Sequence, residues 1–357
     1  MGKNYRIVFV YLLLFAILYC MNSCKPRGNV DSYNVRGKIK IGFSMGTIQE
    51  DRWQRDRDIF VARAKELGAD VIVQNANEDN EEQFNQVKYL VDQGIDVLVI
   101  VPHDANKAQA AVQYAKRAGK KVIAYDRLVL NADLDLYISF DNVRVGELMA
   151  EYLVRDFPRG NYIIVNGSET DYNSYMFNEG YYNVLQDYID NGKIKIIDEV
   201  WANNWMHEYA FLCVERNLLE GKHIDAVIAA NDNLATAAIE ALAERRLAGK
   251  VGVVGHDADI IGCQRVVEGT QLMTVYKPIN QTAKAAAEAA VSLVKGEKVE
   301  VNNQIYNGKN MVPYYMVQPI PITKHNINEM IIKGGFHRVE DVYRNVPKEQ
   351  WPNYSND

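Results

Sequence analysis

An acid and a base, Asp126 and Arg127, follow directly on the apolar run VIAY at 122–125, a stretch that reads as a strand buried on both faces. The same juxtaposition recurs along the chain. Asn231 and Asp232 end the run DAVIAA, Asp257 follows VGVVGH, Lys277 follows LMTVY, and Asp171 and Asn173 lie just past the strand at 162–166. In open parallel α/β sheets, ligands bind outside the carboxyl ends of the strands, so polar groups collected there have a reason to exist. The chemistry they suit is hydroxyl recognition: a carboxylate accepts two or more hydrogen bonds, a guanidinium donates several, and an amide does both. Charge-assisted bonds of this kind are worth about 1.5 to 3 kcal/mol each, enough for five or six to hold a small neutral sugar. Trp53, directly after Arg52, and Trp205, in the stretch WANNWMHEY, add aromatic faces that can cover the C–H side of a sugar ring. Each position also has a plainer alternative. Asp232 and Asp141 fit helix caps, Asp126 and Arg127 fit a pair with one another, Lys277 fits a solvated loop charge, and Trp53 fits the first core residue of its helix.

Other chemistries find less support. The six histidines show no HxH or HxxxH spacing and the cysteines no CxxC, so no metal site is expected. The acidic stretch NEDNEEQF lacks a calcium loop's alternation and central Gly, and reads instead as a helix N-cap at Asp79 or Asn80. No GxSxG, Walker loop or strand-linked GxGxxG is present, and no cofactor is expected.

The elements that must position these residues follow a repeat. A helix-period stretch, a Gly and a short apolar run recur as AKELGADVIVQNA, LVDQGIDVLVIVP and AKRAGKKVIAYDR, with Gly68, Gly94 and Gly119 spaced 26 and 25 residues apart. Each Gly fits a left-handed helix C-cap, and each run is too short and too β-branched for a helix. Strands at 38–45, 70–76, 96–102, 121–126 and 137–141 are therefore expected to form one parallel sheet, with helices on both faces. GNYIIVNGS, KIKIIDEVW, IDAVIAAND, GKVGVVGHD and LMTVYKP repeat the scheme, predicting a second α/β lobe. A helix is expected over 282–294, followed by VPYYMVQPIPITKHNI, whose prolines assign it to a sheet edge or a linker.

The first 24 residues read as an export signal: Lys3 and Arg6, then an apolar run at 7–19, then Ser23 before Cys24. That run falls below the roughly 20 residues needed to span a bilayer. YCMNSCKPRG resembles a bacterial lipoprotein cleavage box with Cys24 as the lipidated residue; Cys20, plain secretion and an uncleaved anchor are the alternatives. Residues 25–37 read as a flexible tether. Cys213 and Cys263 sit in helix-like apolar patterns and are expected to be buried free thiols. With 357 residues, 48% hydrophobic and 24% charged, the chain has length for two lobes. A net charge of -6, without a block of Lys or Arg, excludes a nucleic-acid footprint.

Taken together, KIKIGFSM, RWQRDRDIF, DVLVIVP, VIAYDR, YISFDNVRVGEL, NDNLATAAIEAL, GTQLMTVYKP and IIKGGFH resemble the periplasmic D-xylose-binding proteins of bacterial ABC importers, over roughly residues 38 to 340. The resemblance implies two doubly wound α/β lobes joined by a hinge, with a monosaccharide, D-xylose above all, held between them and delivered by lobe closure to a membrane permease. It implies a monomer in the cell envelope, periplasmic and here lipid-anchored. It also implies three crossings between lobes: a first lobe of 38–142 plus about 279–312, a second of 143–278 plus about 313–345, and a tail at 346–357. Carried over motif by motif, the ligand set is Arg52, Trp53, Asp126, Arg127, Asp171, Asn173, Trp205, Asn231, Asp257 and Lys277. Two departures bear on which pentose is preferred rather than on the class of ligand. Tyr172 is bulky between Asp171 and Asn173, and His256 stands where the family's pattern has a Gln.

Three other classes are weighed against this expectation. A glycosidase would use paired carboxylates as acid and base, but Arg127 beside Asp126 is expected to pair with it and keep it ionised. A sugar-responsive transcription regulator shares the core but needs a basic helix-turn-helix before it, where this chain has an export signal. A sensor for another pentose or hexose, reporting to a membrane signalling partner, would use the same pocket.

Overall fold

Strand β3, Val97–Val101, is apolar at every position because both of its faces are buried. Val97, Val99 and Val101 point into one core cluster with Phe60 and Ala64, while Leu98 and Ile100 point into another with Val87, Leu90 and Val112. The structure, a computed structural model, describes residues 37–352. The export signal, Cys24, the tether apart from Gly37 and residues 353–357 lie outside them.

In the first lobe, β1 Lys40–Met45, β2 Asp70–Asn75, β3, β4 Lys121–Tyr125 and β5 Leu136–Phe140 are all parallel, in the order β2-β1-β3-β4-β5. Helix α1 Asp51–Glu66 covers one face; α2 Asn80–Asp92 and α3 Gln109–Arg117 cover the other. Gly68, Gly94 and Gly119 lie just past these helices at φ 78°, 74° and 72°, where a side chain would be strained. Asp79 is the N-cap of α2, its Oδ1 accepting from the amides of Glu81 and Glu82.

The second lobe repeats the order. Strands β6 Gly160–Asn166, β7 Ile194–Trp201, β8 Ala226–Ala229 and β9 Gly252–Val254 run parallel as β7-β6-β8-β9. Beside β9 lies β10 Thr274–Tyr276, tied to it by the Leu272 amide on the Val253 carbonyl at 2.8 Å and the Asp257 amide on the Val275 carbonyl at 2.9 Å. Helices α4 Asn142–Asp156, α5 Tyr172–Asp190, α6 Glu208–Leu219, α7 Asp232–Glu244 and α8 Ile260–Glu268 complete it. In both lobes the strand order reverses beside the first strand, the place where a doubly wound sheet opens a crevice at its carboxyl edge.

The chain passes between the lobes from β5 to α4, from β10 to α9 Ile279–Lys295, and from β12 Met311–Val317 to β13 Ile320–Ile322. Helix α9 packs on α1, with Ala283, Ala286, Ala287 and Ala290 in the same core as Phe60. Phe140, Ile279 and Val317, one from each passage, form a small apolar cluster of their own. At the second passage Pro278 has φ -68° and ψ 75°, and the Ile279 amide reaches the Lys277 carbonyl at 2.7 Å, an inverse γ-turn.

Two expectations are corrected here. The segment from Val312 is an edge only in its second half, where β13, carrying Pro321, pairs with β10 alone; β12 lies inside the first sheet, parallel to β5 on one side and antiparallel to the edge strand β11 Asn303–Tyr306 on the other. Pro313 is tolerated because its register partner is Gln304 of the edge strand, and pairing with β5 begins only at Tyr314. The third passage therefore falls between Val317 and Ile320 rather than near 312. Within the expected tail, Val346 and Trp351 pack on the second-lobe cluster built from Cys263, Val267 and Ile331, and Trp351 Nε1 donates to the Val346 carbonyl at 2.8 Å.

Candidate ligand-binding cleft

All ten residues of the expected ligand set line one cavity, together with Glu50, Phe177 and His256. The first lobe supplies its share from the carboxyl ends of β1 and β4. Arg52, one residue into α1, is buried and ties three carboxylates: Nη2 lies 2.6 Å from Asp126 Oδ2, Nε 3.4 Å from Asp56 Oδ2, and Nη1 3.4 Å from Asp257 Oδ1. Its guanidinium sits 4.4 Å from the centre of the Trp53 ring, and that of Arg127 sits 5.3 Å from it.

Asp126 and Arg127 do not pair with one another, contrary to the sequence expectation. Asp126 has φ 61° and the Arg127 amide donates back to the Tyr125 carbonyl at 2.7 Å, so the chain turns sharply within three residues and the two side chains part. Asp126 goes to Arg52, and Arg127 Nε meets Asp171 Oδ2 across the cleft at 2.7 Å. Burial pushes the Asp126 carboxyl up, but Arg52, Lys277 and Arg127 together outweigh it and hold it below its ordinary value. Asp56, behind Arg52, accepts from the Tyr125 hydroxyl and is raised to about 6, burial outweighing Arg52.

The second lobe supplies helix N-termini. Asp171 is the N-cap of α5, accepting from the Asn173 amide at 3.0 Å; burial raises its carboxyl, and Arg127 offsets only part of that. Asn173 Oδ1 accepts from Asn142 Nδ2 at 3.0 Å, while its own Nδ2 reaches the Asp126 carbonyl at 3.3 Å. Asn231 caps α7 through Oδ1 on the Leu234 amide at 2.9 Å, which commits that oxygen to the cap. Asp232 does not line the cavity and is not a cap. It lies beneath the wall, taking bonds from Gln271 Nε2 at 2.7 Å, Thr274 Oγ1 at 2.8 Å and the Asp259 amide at 3.0 Å. Those bonds brace the turn that carries Asp257, whose φ is 101°.

Asp257 is the second lobe's counterpart to Asp126. Lys277 Nζ is 2.8 Å away, and although burial raises the carboxyl, His256, Lys277 and Arg52 pull it far below the usual range. Burial lowers the adjacent His256 imidazole to about 3, so at neutral pH it is uncharged and the cations on Asp257 are Lys277 and Arg52. Its ring lies 4.6 Å from Phe177 and 6.4 Å from Trp205. Trp205 follows a left-handed residue, Asn204 at φ 49°, and is itself at φ 58°; its indole lies over Gly167, where a Cβ would come 2.3 Å from the ring. The indole nitrogens of Trp53 and Trp205 and Nδ1 of His256 are buried without a hydrogen-bond partner.

Sequence reasoning missed Glu50 and Phe177 and noted His256 only as a departure. Phe177 was within reach, since it stands one helical turn after Asn173 on the same face of α5. Three cations, Arg52, Arg127 and Lys277, face three carboxylates, Asp126, Asp171 and Asp257, with Glu50 in addition. Such a wall offers many charge-assisted donors and acceptors with little net charge, which suits a neutral polyhydroxyl molecule better than an ion.

A family model described as a periplasmic binding protein domain matches residues 41–298. The chain belongs to the periplasmic binding protein family. Among relatives of this periplasmic binding protein, the D-xylose-binding periplasmic protein of Haemophilus influenzae is 47% identical over 306 residues, 85% of this chain and 92% of that protein. The D-xylose-binding periplasmic protein of Escherichia coli is 44% identical, covering 85% and 93%. Among solved structures, a carbohydrate transporter solute binding protein from Chloroflexus aurantiacus, in complex with D-glucose, superposes with a TM-score of 0.81 at 29% identity, covering 85% of this chain and 98% of that one. The relatives are binding proteins of transport rather than enzymes. The cleft of this periplasmic binding protein agrees with that, because Asp126 is held ionised by Arg52 and is a poor proton donor at neutral pH.

Proposed function

We propose that this protein captures a neutral monosaccharide, D-xylose in the first place, between its lobes and delivers it in the closed form to the permease of an ABC importer. The observation that carries the reading is the set of charges, three cations against three carboxylates and Glu50, that lines one cavity together with Trp53 and Trp205 and is drawn from both lobes. Arg52, Trp53, Asp126 and Arg127 would grip the sugar from one side, and Asp171, Asn173, Trp205, Asn231, Asp257 and Lys277 from the other. Only the closed form makes all of these bonds, so sugar shifts the population toward closure. The identity to the two D-xylose-binding relatives supports the choice of pentose. The resemblance further supports a periplasmic monomer, and the Ser23 and Cys24 pair supports a lipid tether at Cys24; release of the protein from membranes by Cys24→Ala tests that tether.

The decisive experiment is isothermal titration with D-xylose, D-ribose, L-arabinose, D-glucose and D-galactose, repeated with Asp126→Ala. Saturable binding of D-xylose in preference to the others, lost in the variant, is the expected result. Preference for another sugar would overturn the xylose assignment, and silence toward all five would overturn the sugar-receptor reading.

A further inference from the structure

The lobes also meet outside the cavity. Between Asp171 and Asn173, which face the cavity, Tyr172 packs instead against the apolar cluster of the first lobe that contains Leu128 and Val129. Among the described residues of that cluster and its flank, it is the one contribution of the second lobe. Immediately before it, the Thr170 carbonyl accepts from the Ala105 amide at 2.8 Å, a backbone bond between lobes. The donor is held in place: the Ala105 carbonyl accepts from the Leu130 amide at 2.8 Å, and Asp104 Oδ1 accepts from the amides of Asn106 and Lys107 at 2.9 and 3.0 Å. Tyr172 is backed from its own side by Tyr175, 6.0 Å between ring centres, which in turn rests on Trp201 at 4.7 Å.

These contacts differ in kind from the ion pairs across the cavity. Arg52 with Asp257 and Arg127 with Asp171 use the atoms a ligand would engage, so a ligand competes with them as it binds. Tyr172 is absent from the cavity wall, so its packing is made in the closed form whatever occupies the cleft, and is lost when the lobes part. We propose that Tyr172, supported by the Ala105 to Thr170 bond, is a seam latch that sets the lifetime of the closed complex: an affinity-determining residue that touches no ligand. The inference rests on the sugar-receptor reading of the cleft. Where the closed form is minor without ligand, every factor removed from the closing equilibrium appears as the same factor in the apparent dissociation constant. Because release requires opening, the change falls on the off-rate.

The test compares wild type, Tyr172→Phe and Tyr172→Ala, with D-xylose affinity from titration calorimetry and dissociation from stopped-flow tryptophan fluorescence. Tyr172→Ala is expected to raise Kd by about tenfold, or about 1.4 kcal/mol, through a faster off-rate. Tyr172→Phe keeps the ring and is expected to stay within about twofold of wild type. Circular dichroism checks that both variants are folded; should Tyr172→Ala fail to fold, Tyr172→Val and Tyr172→Leu, which keep progressively more apolar contact, must show graded off-rates. An alanine variant within about twofold of wild type, or a loss carried by the on-rate, overturns the latch while leaving the sugar reading intact. Wild-type protein silent toward D-xylose would remove the reading on which the latch rests, a different and recognisable failure.

Discussion

Replacing Arg52 by methionine keeps the length of the side chain and removes the cation shared by Asp56, Asp126 and Asp257. Asp56 and Asp126 are buried, whereas Asp257 is less so and retains Lys277 at 2.8 Å, so the loss falls on Asp56 and Asp126. Removing one partner of a buried ion pair costs about 3 to 5 kcal/mol, because the remaining charge stays in a poorly solvated site. At about 2.1 cal/mol/K per residue, each kcal/mol moves Tm by about 1 to 2 °C in a chain of this size, which puts the expected fall at about 4 to 8 °C at pH 7.5. The deficit should also depend on pH, with a definite sign. In the wild type, Asp126 is depressed and contributes stability above its unfolded value, lost as pH falls through the lower folded value. Without Arg52 the folded value of Asp126 rises above the unfolded one and that of Asp56, already raised to about 6, rises further, so the penalty grows as pH climbs and fades as pH falls toward about 4. Thermal unfolding followed by circular dichroism between pH 4.5 and 8 measures the gap. A variant as stable as wild type at pH 7.5, or a gap that does not narrow toward acid pH, would refute Arg52 as the organising cation of the cleft.

Three further outcomes are expected. Gly167→Ala places a methyl 2.3 Å from the Trp205 ring and 2.4 Å from Ser174 Oγ, so it should displace the indole and weaken D-xylose binding by about tenfold or more in calorimetry, overpacking costing about 1 to 3 kcal/mol. Gly180→Ala drives a methyl to 2.1 Å from the Val143 carbonyl where α4 and α5 cross; since these helices carry Asn142, Asp171 and Asn173, both Tm and affinity should fall, and an unchanged Tm would contradict the close crossing. His256 has its folded value lowered to about 3, so the unfolded state takes up a proton first as pH falls below about 6.5, and the wild type loses stability that His256→Gln keeps. Urea unfolding should show the difference between the two shifting by about 2 kcal/mol in favour of the variant from pH 7 to pH 5, and parallel curves would mean that the imidazole is not buried neutral.

The repeat of helix, Gly and apolar run was legible because it reports local chemistry. A strand buried on both faces must be apolar throughout, as β3 is, and a chain leaving a helix through a left-handed residue favours Gly, as at Gly68, Gly94 and Gly119. The strand ends were legible for the same reason, since a charge directly after a buried run is unusual wherever it occurs, and the polar residues so marked meet at one cavity. β12 was misread because a Pro counts against a central strand only when its missing amide faces a paired neighbour, and at Pro313 that depends on which strand lies opposite. Glu50 carried no mark, and Phe177 was marked only by its helical spacing from Asn173, an aromatic residue on a helix face being far more often core.

Which residue types surround the cleft was thus determined by the sequence itself, through strand periodicity, cap chemistry and the placing of charge after apolar runs. Which residue meets which was decided only by the tertiary structure. Asp126 and Arg127 are neighbours in the chain, yet a turn at φ 61° sends one to Arg52 and the other across the cleft to Asp171, and Tyr172, between two cavity residues, closes a seam instead. The physical reason is that burial and capping act over a few residues and leave a trace in local order. Partnership between charges is settled by distances of a few ångströms between segments far apart in the chain, 205 positions in the case of Arg52 and Asp257.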